Sequence, residues 1–144
     1  MKNLKKINLS EKFFVAGSAG MAGSAICRAL KKKGYGSKEY GGEILTPTSK
    51  ELDLTDFNAT REWFKKNKPN IVVIAAAKVG GIFANNQYPY DFLIKNLKIQ
   101  NNIIENAFNF GTRRLLFLGS SCIYPKFCPQ PIKEEYLMTD ELEI

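Results

Sequence analysis

Two hydrophobic patterns alternate along this chain: short runs that are apolar on both faces, and longer segments whose apolar residues recur every three or four positions. Residues 12–16 (Lys-Phe-Phe-Val-Ala) form the first short run and lead into a glycine, which predicts a buried strand. Residues 21–33 predict a helix with Ala22, Ala25, Ile26, Ala29 and Leu30 on one face and Gly34 placed to end it. Residues 43–45 predict a short second strand, cut off by Thr46-Pro47. Either Thr55 or Asp56 can cap the next helix, which runs to about Asn67 with Phe57, Thr60, Trp63 and Phe64 inward, before Pro69 stops it. Residues 71–77 (Ile-Val-Val-Ile-Ala-Ala-Ala) are the clearest strand, rich in β-branched residues and apolar on both faces, as a parallel strand covered by helices should be.

A long helix is predicted near residues 90–110, with Leu93, Leu97, Ile103, Ile104, Ala107 and Phe108 on a broad apolar face and Gly111 at its end. Residues 114–118 predict the last strand, and beyond Gly119 the chain becomes Pro-rich and irregular. This alternation predicts an α/β fold: a Rossmann-like, doubly wound parallel sheet of roughly four to five strands, one domain over residues 1–144.

Composition narrows the functional classes. Apolar residues make up 44% and charged residues 24%, the balance of a globular domain, and no run of eighteen apolar residues predicts a membrane span. The first seven residues carry charge without the apolar stretch of a leader, so a cytoplasmic location is expected. Three cysteines (Cys27, Cys122 and Cys128) with no Cys-x-x-Cys pair fit a reducing compartment. The absence of histidine removes the commonest general base and metal ligand, so neither a metal site nor a Ser-His-Asp triad is expected. The net charge of +7 raises the question of nucleic acid, but Lys31-Lys32-Lys33 and Lys65, Lys66 and Lys68 fall at the C-terminal ends of two predicted helices. There cations complement the helix dipole, and no nucleic-acid partner is expected.

The strongest local signal is Gly17-Ser18-Ala19-Gly20-Met21-Ala22-Gly23, which leaves the first strand and opens the first helix. Gly17 permits the tight turn, Gly20 admits a pyrophosphate close to the backbone, and Gly23 allows close packing of helix on sheet. Ser18 and Met21 belong to the same cradle, and the helix N-terminus supplies N–H donors and a positive dipole end. Further on, Asp53 can either accept from an adenine or ribose or help to start the following helix.

That loop, together with Ala75-Ala76-Ala77-Lys78-Val79-Gly80-Gly81-Ile82, Asn85-Asn86 and Gly119-Ser120-Ser121-Cys122-Ile123-Tyr124-Pro125-Lys126, resembles the GDP-L-fucose synthase family. These are extended short-chain dehydrogenases/reductases of the NAD-dependent epimerase/dehydratase type, and the resemblance covers the chain from Phe13 onward. It implies an NADP-dependent epimerase and reductase acting on GDP-4-keto-6-deoxy-mannose. Gly17, Gly20 and Gly23 would hold the pyrophosphate, Ala75, Ala76, Ala77 and Lys78 would line the nicotinamide ribose, and Asn96 would support the site from the long helix. Ser120 would hydrogen-bond the sugar ketone, and Cys122 would act as acid and base in epimerisation. A thiol following a strand is otherwise ordinary packing. The long helix would pair with a second copy in a homodimer.

The sequence departs from the family at two places. Ser18-Ala19 stand where the family carries His-Arg, and near Ser49 only Lys50 remains to meet a 2′-phosphate, so NAD stays open as the alternative to NADP. The family's Tyr-x-x-x-Lys pair is missing: four residues after Tyr35, Tyr40, Tyr88, Tyr90, Tyr124 and Tyr136 stand Glu39, Ile44, Phe92, Ile94, Cys128 and Asp140. The resemblance therefore implies a chain truncated before that helix, lacking the substrate domain and inactive by itself. The competing expectation is a stand-alone dinucleotide-binding or interaction module without catalysis.

Overall fold

A computed structural model describes residues 6–142; residues 1–5, most of the segment read above for a leader, and residues 143 and 144 lie outside the described residues. The main elements are β1 (Lys12–Ala16), α1 (Met21–Lys32), β2 (Glu43–Leu45), α2 (Phe57–Asn67), β3 (Ile71–Ile74), α3 (Ile82–Gln87), α4 (Pro89–Asn109) and β4 (Arg114–Phe117). The sheet order is β2-β1-β3-β4 and every pairing is parallel. The chain thus winds outward from β1 to β2, then returns across β1 to add β3 and β4. The crevice between β1 and β3, at their C-terminal ends, is the point where the winding reverses and where open α/β sheets take ligands.

The main core cluster occupies one face of this sheet, and Phe13, Val15, Ile71 and Val73 are buried on the other. Phe14, Ala16, Val72 and Ile74 meet Leu52, Phe64 of α2, and Ile103 and Ala107 of α4. The Phe14 ring lies 4.4 Å from that of Trp63 and 5.7 Å from that of Phe64. Asp56 caps α2 by accepting from the Ala59 N–H at 3.0 Å, which settles the alternative in favour of Asp56 over Thr55. Lys68, in the left-handed region at φ 45°, and Pro69 close that helix. At the far end of the sheet the Arg113 guanidinium reaches the largely buried Glu11 carboxylate, tying the start of β1 to the start of β4.

Several expected contacts fall elsewhere. β3 ends at Ile74 instead of residue 77, because β1 turns into the glycine loop and the Ala75 N–H to Ala16 carbonyl bond is the last available partner. On α1, Ala22, Ala25 and Ala29 are exposed, while Gly23 is buried and Ile26, Cys27 and Leu30 are half-buried. Alanine is as much at home on a solvated helix surface as on a packed one, so its spacing misplaced the face. The broad apolar face of α4 divides: Ile103 and Ala107 enter the core, whereas Leu93, Leu97, Ile104 and Phe108 remain exposed. Phe57 is likewise exposed rather than inward. β4 pairs only with β3, and its Leu115, Leu116 and Phe117 are 38–53% exposed, against 5% or less for β3 beside it. No helix among the described residues is long and apolar enough to cross a membrane.

Candidate functional site

A cavity of about 590 Å³ opens at the reversal point of the sheet. Its floor is the glycine loop. Gly17 turns the chain out of β1 at φ +79°, and a Cβ there would stand 2.6 Å from the Ala75 carbonyl oxygen, so no side chain is admissible. The Gly20 N–H closes the turn onto the Gly17 carbonyl at 3.0 Å. Gly20 is then the N-cap of α1 with no side chain satisfying the first-turn N–H groups, which leaves those donors for an anion. A Cβ on Gly20 would meet only the Gly17 oxygen, at 3.3 Å. A Cβ on Gly23 would lie 2.1 Å from that same oxygen, so this glycine lets α1 pack against the loop's own backbone rather than against the sheet.

Of the residues singled out in the sequence, Gly17, Ser18, Gly20, Met21, Asp53, Ala75, Ala76 and Ala77 line the cavity. Gly23, Lys50, Lys78 and Asn96 stand just behind or beside that wall, and Ser120 and Cys122 are not part of it. Sequence reasoning passed over Thr48, Ser49, Thr55 and Ile99, which do line it. Only Ile99 carried a signal, as an apolar position four before Ile103 on α4; the hydroxyl residues of a loop carry none.

Asp53 lines the cavity, and the cap of α2 itself belongs to Asp56. Its Oδ1 accepts from the Thr55 hydroxyl at 2.7 Å and the Thr55 N–H at 2.9 Å. Those two bonds, aided by the more distant Lys95 and Lys98 and opposed by slight burial, hold the carboxyl below its usual range. The group is therefore ionised at neutral pH, and its contribution to stability is lost only as pH falls through that lowered value.

The opposite lip is fixed by Asn96. Its Oδ1 accepts from the Lys78 N–H at 2.7 Å and its Nδ2 donates to the Lys78 carbonyl at 3.0 Å, as a neighbouring strand would. The Lys78 ammonium runs back to Asp91 at 3.7 Å and lies 4.7 Å from the Phe92 ring centroid, so α4 holds both its backbone and its side chain. Asn96→Ala leaves two half-buried backbone groups without partners and should destabilise the domain by about 2 kcal/mol. Urea titration of the variant against its parent checks the loss.

Beyond β4, Ser120 starts a single 3-10 turn over Ser121–Ile123, its hydroxyl oxygen accepting from the Cys122 N–H at 3.2 Å. Ser120 and the Cys122 thiol are both exposed, at the same edge of the sheet as the cavity. Cys27, by contrast, has its thiol pushed up by burial, against the pull of Lys31 and Arg28. No group of three or more His, Cys, Asp or Glu suited to a metal ion occurs among the described residues.

Residues 13–143 match the NAD dependent epimerase/dehydratase family. The chain is 52% identical over 134 residues to GDP-L-fucose synthase 1 of Arabidopsis thaliana, a match covering 93% of this chain and 40% of that protein. Among solved structures, the GDP-mannoheptose C4 reductase MlghC of Campylobacter jejuni with NADP bound superposes with a TM-score of 0.85 at 36% identity, covering 96% of this chain and 42% of that one. The GDP-L-fucose synthetase of Naegleria fowleri bound to NADP gives 0.81 at 29% identity, over 96% and 40% of the respective chains. The chain thus spans about two fifths of the length of the relatives it matches.

Proposed function

The chain belongs to the NAD dependent epimerase/dehydratase family, and on that footing we propose that it is the dinucleotide-binding part of a GDP-sugar epimerase/reductase of the GDP-L-fucose synthase kind. The observation that carries this reading is the cradle at the mouth of α1, where three glycines keep side chains away from unsatisfied N–H donors. The residues present fit a pyrophosphate: anion donors at a helix start, wall positions with no room for a Cβ, and space for a ligand of several rings.

NADP is the proposed cofactor, since two structural neighbours carry it. Gly17, Ser18, Gly20 and Met21 hold the pyrophosphate, and Gly23 lets α1 pack close behind them. Asp53 faces the adenosine end, with Lys50 at the rim. Ala75, Ala76 and Ala77 line the nicotinamide ribose, with Lys78 and Asn96 fixing the loop behind them. When bound in its reduced form, the nucleotide supplies the hydride that reduces a sugar ketone. The chain's own residues orient and move protons: the Ser120 hydroxyl, its oxygen engaged by the Cys122 N–H, keeps its proton to donate to the ketone oxygen. The Cys122 thiol, when ionised, takes a proton from the carbon beside that ketone; inversion of that carbon then needs a second acid on its other face to return one.

No tyrosine of these residues has a lysine four positions on, so the 144 residues alone should bind nucleotide without reducing ketone. A thermal melt tests the binding. NADPH at a hundred times its Kd adds about 2.7 kcal/mol, which should raise the Tm by roughly 10 °C for a domain of this size. No shift at millimolar NADPH and NADH would remove the reading.

A second copy of the chain is the proposed partner of α4. The exposed Leu93, Leu97, Ile104 and Phe108 recur at spacings of four, seven and four, the seam of a coiled-coil-like helix pair. Light scattering should then give twice the monomer mass, and Leu97→Glu should return it to the monomer. A monomeric parent protein would rule this out.

A further inference from the structure

We infer that this site accepts NAD and NADP with affinities within about tenfold of each other; the inference rests on the dinucleotide-binding role proposed above. In sites of this fold, the choice between the two nucleotides is made beside the C-terminal end of the second strand. An acidic side chain there binds the free 2′-hydroxyl of NAD, or an arginine binds the 2′-phosphate of NADP. The register pairs Leu45 with Phe14, so the residues following Leu45 run alongside Val15, Ala16 and the glycine loop. Those residues are Thr46, Pro47, Thr48 and Ser49, and the last three line the cavity.

Neither device is present there. Among the described residues that line the cavity, none is lysine or arginine, and the single carboxylate, Asp53, is engaged by Thr55. The nearest acid to the end of β2 after the strand is Glu51. Its Oε2 accepts from both the Thr48 N–H at 2.7 Å and the Thr48 hydroxyl at 2.8 Å, so it closes its own turn and stands outside the lining. What remains to meet a 2′ substituent is a set of hydroxyls, Ser18 and Ser49 foremost, which serve a hydroxyl or a phosphate alike.

Lys50 is the one adjacent cation on that turn. It is exposed and outside the lining, and no ion pair is formed by it among the described residues. An exposed cation meeting a solvated phosphate changes affinity by less than about tenfold, and salt weakens it further. Lys95 and Lys98 of α4 act on Asp53, and neither lines the cavity.

The test is a pair of fluorescence titrations of the full 144-residue protein with NADPH and with NADH at about 0.15 M salt. The inference expects a Kd ratio of tenfold or less, and Lys50→Met should change that ratio by no more than the same factor. Ser49→Arg, which places a guanidinium on the wall, should shift the ratio toward NADPH by more than tenfold. A parental ratio above tenfold in either direction overturns the inference but leaves dinucleotide binding intact. So does a Ser49→Arg protein, shown folded by circular dichroism, that does not gain on NADPH. Binding of neither nucleotide defeats the dinucleotide-binding reading and this inference with it.

Discussion

Gly23→Ala should weaken nucleotide binding by about a hundredfold and cost the domain about 3 kcal/mol, whereas Gly20→Ala, three residues earlier, should leave stability almost untouched. The added carbon at Gly23 would stand 2.1 Å from the Gly17 carbonyl oxygen and 2.9 Å from the Ser18 Cα, both backbone atoms that no rotamer change can clear. Relief requires α1 to lift from the loop by about 1 Å or more, the cost of an overpacked core. A displacement of that size in the floor of the site should weaken binding by about a hundredfold. At Gly20 the same carbon meets one atom at 3.3 Å, and the residue's φ of −73° suits alanine. Its stability cost should stay below about 1 kcal/mol, but the methyl occupies the wall against which a pyrophosphate would rest, so NADPH affinity should fall at least tenfold. Chemical denaturation and nucleotide titration on the two variants separate the effects. A Gly23→Ala protein that melts and binds like its parent would dismiss the cradle as the site.

The second large effect is expected at Phe14→Ala. Phe14 is fully buried in the middle of β1, against Trp63 and Phe64 and beside Val72 and Leu45 of the neighbouring strands. Truncating a buried phenylalanine costs about 3–5 kcal/mol, a large share of the 5–15 kcal/mol that holds a typical domain together. This sheet has little to spare, because β4 is paired along one edge only and its Leu115, Leu116 and Phe117 stay partly wet. The variant should be largely unfolded at 37 °C, with its near-ultraviolet circular dichroism lost. Retention of a cooperative melt within a few degrees of the parent would mean that the cluster around Phe14 is not the centre of the fold.

The order of elements was legible in the sequence because the two periodicities differ so plainly. Ile71 to Ile74 could hardly be anything but an inner strand, and the break at Gly17 to Gly23 marked both the turn and the floor of the cavity. Burial was less legible. The alanines of α1 and the leucines of α4 look the same to a periodicity count whether they face a core, a second molecule or water. α3 was missed because six residues, Ile-Phe-Ala-Asn-Asn-Gln, between Gly81 and Tyr88 give less than two turns of pattern. The cavity wall was half legible: glycines and alanines announce themselves by their smallness, but Thr48, Ser49 and Thr55 reach the site only because the chain after β2 folds back beside the glycine loop. Ser120 and Cys122 were picked out by their octapeptide, and the fold places them at the ligand edge without bringing them into the cavity.

The long helix does more than pack. Asn96 grips the loop after β3, and six residues along, about 9 Å at 1.5 Å per residue, Asn102 donates to the Leu54 carbonyl at 2.9 Å, in the loop that carries Asp53. One rod thus bolts down both jaws of the cleft. Tilting it would slacken the two together, so the seating of that rod governs both walls at once.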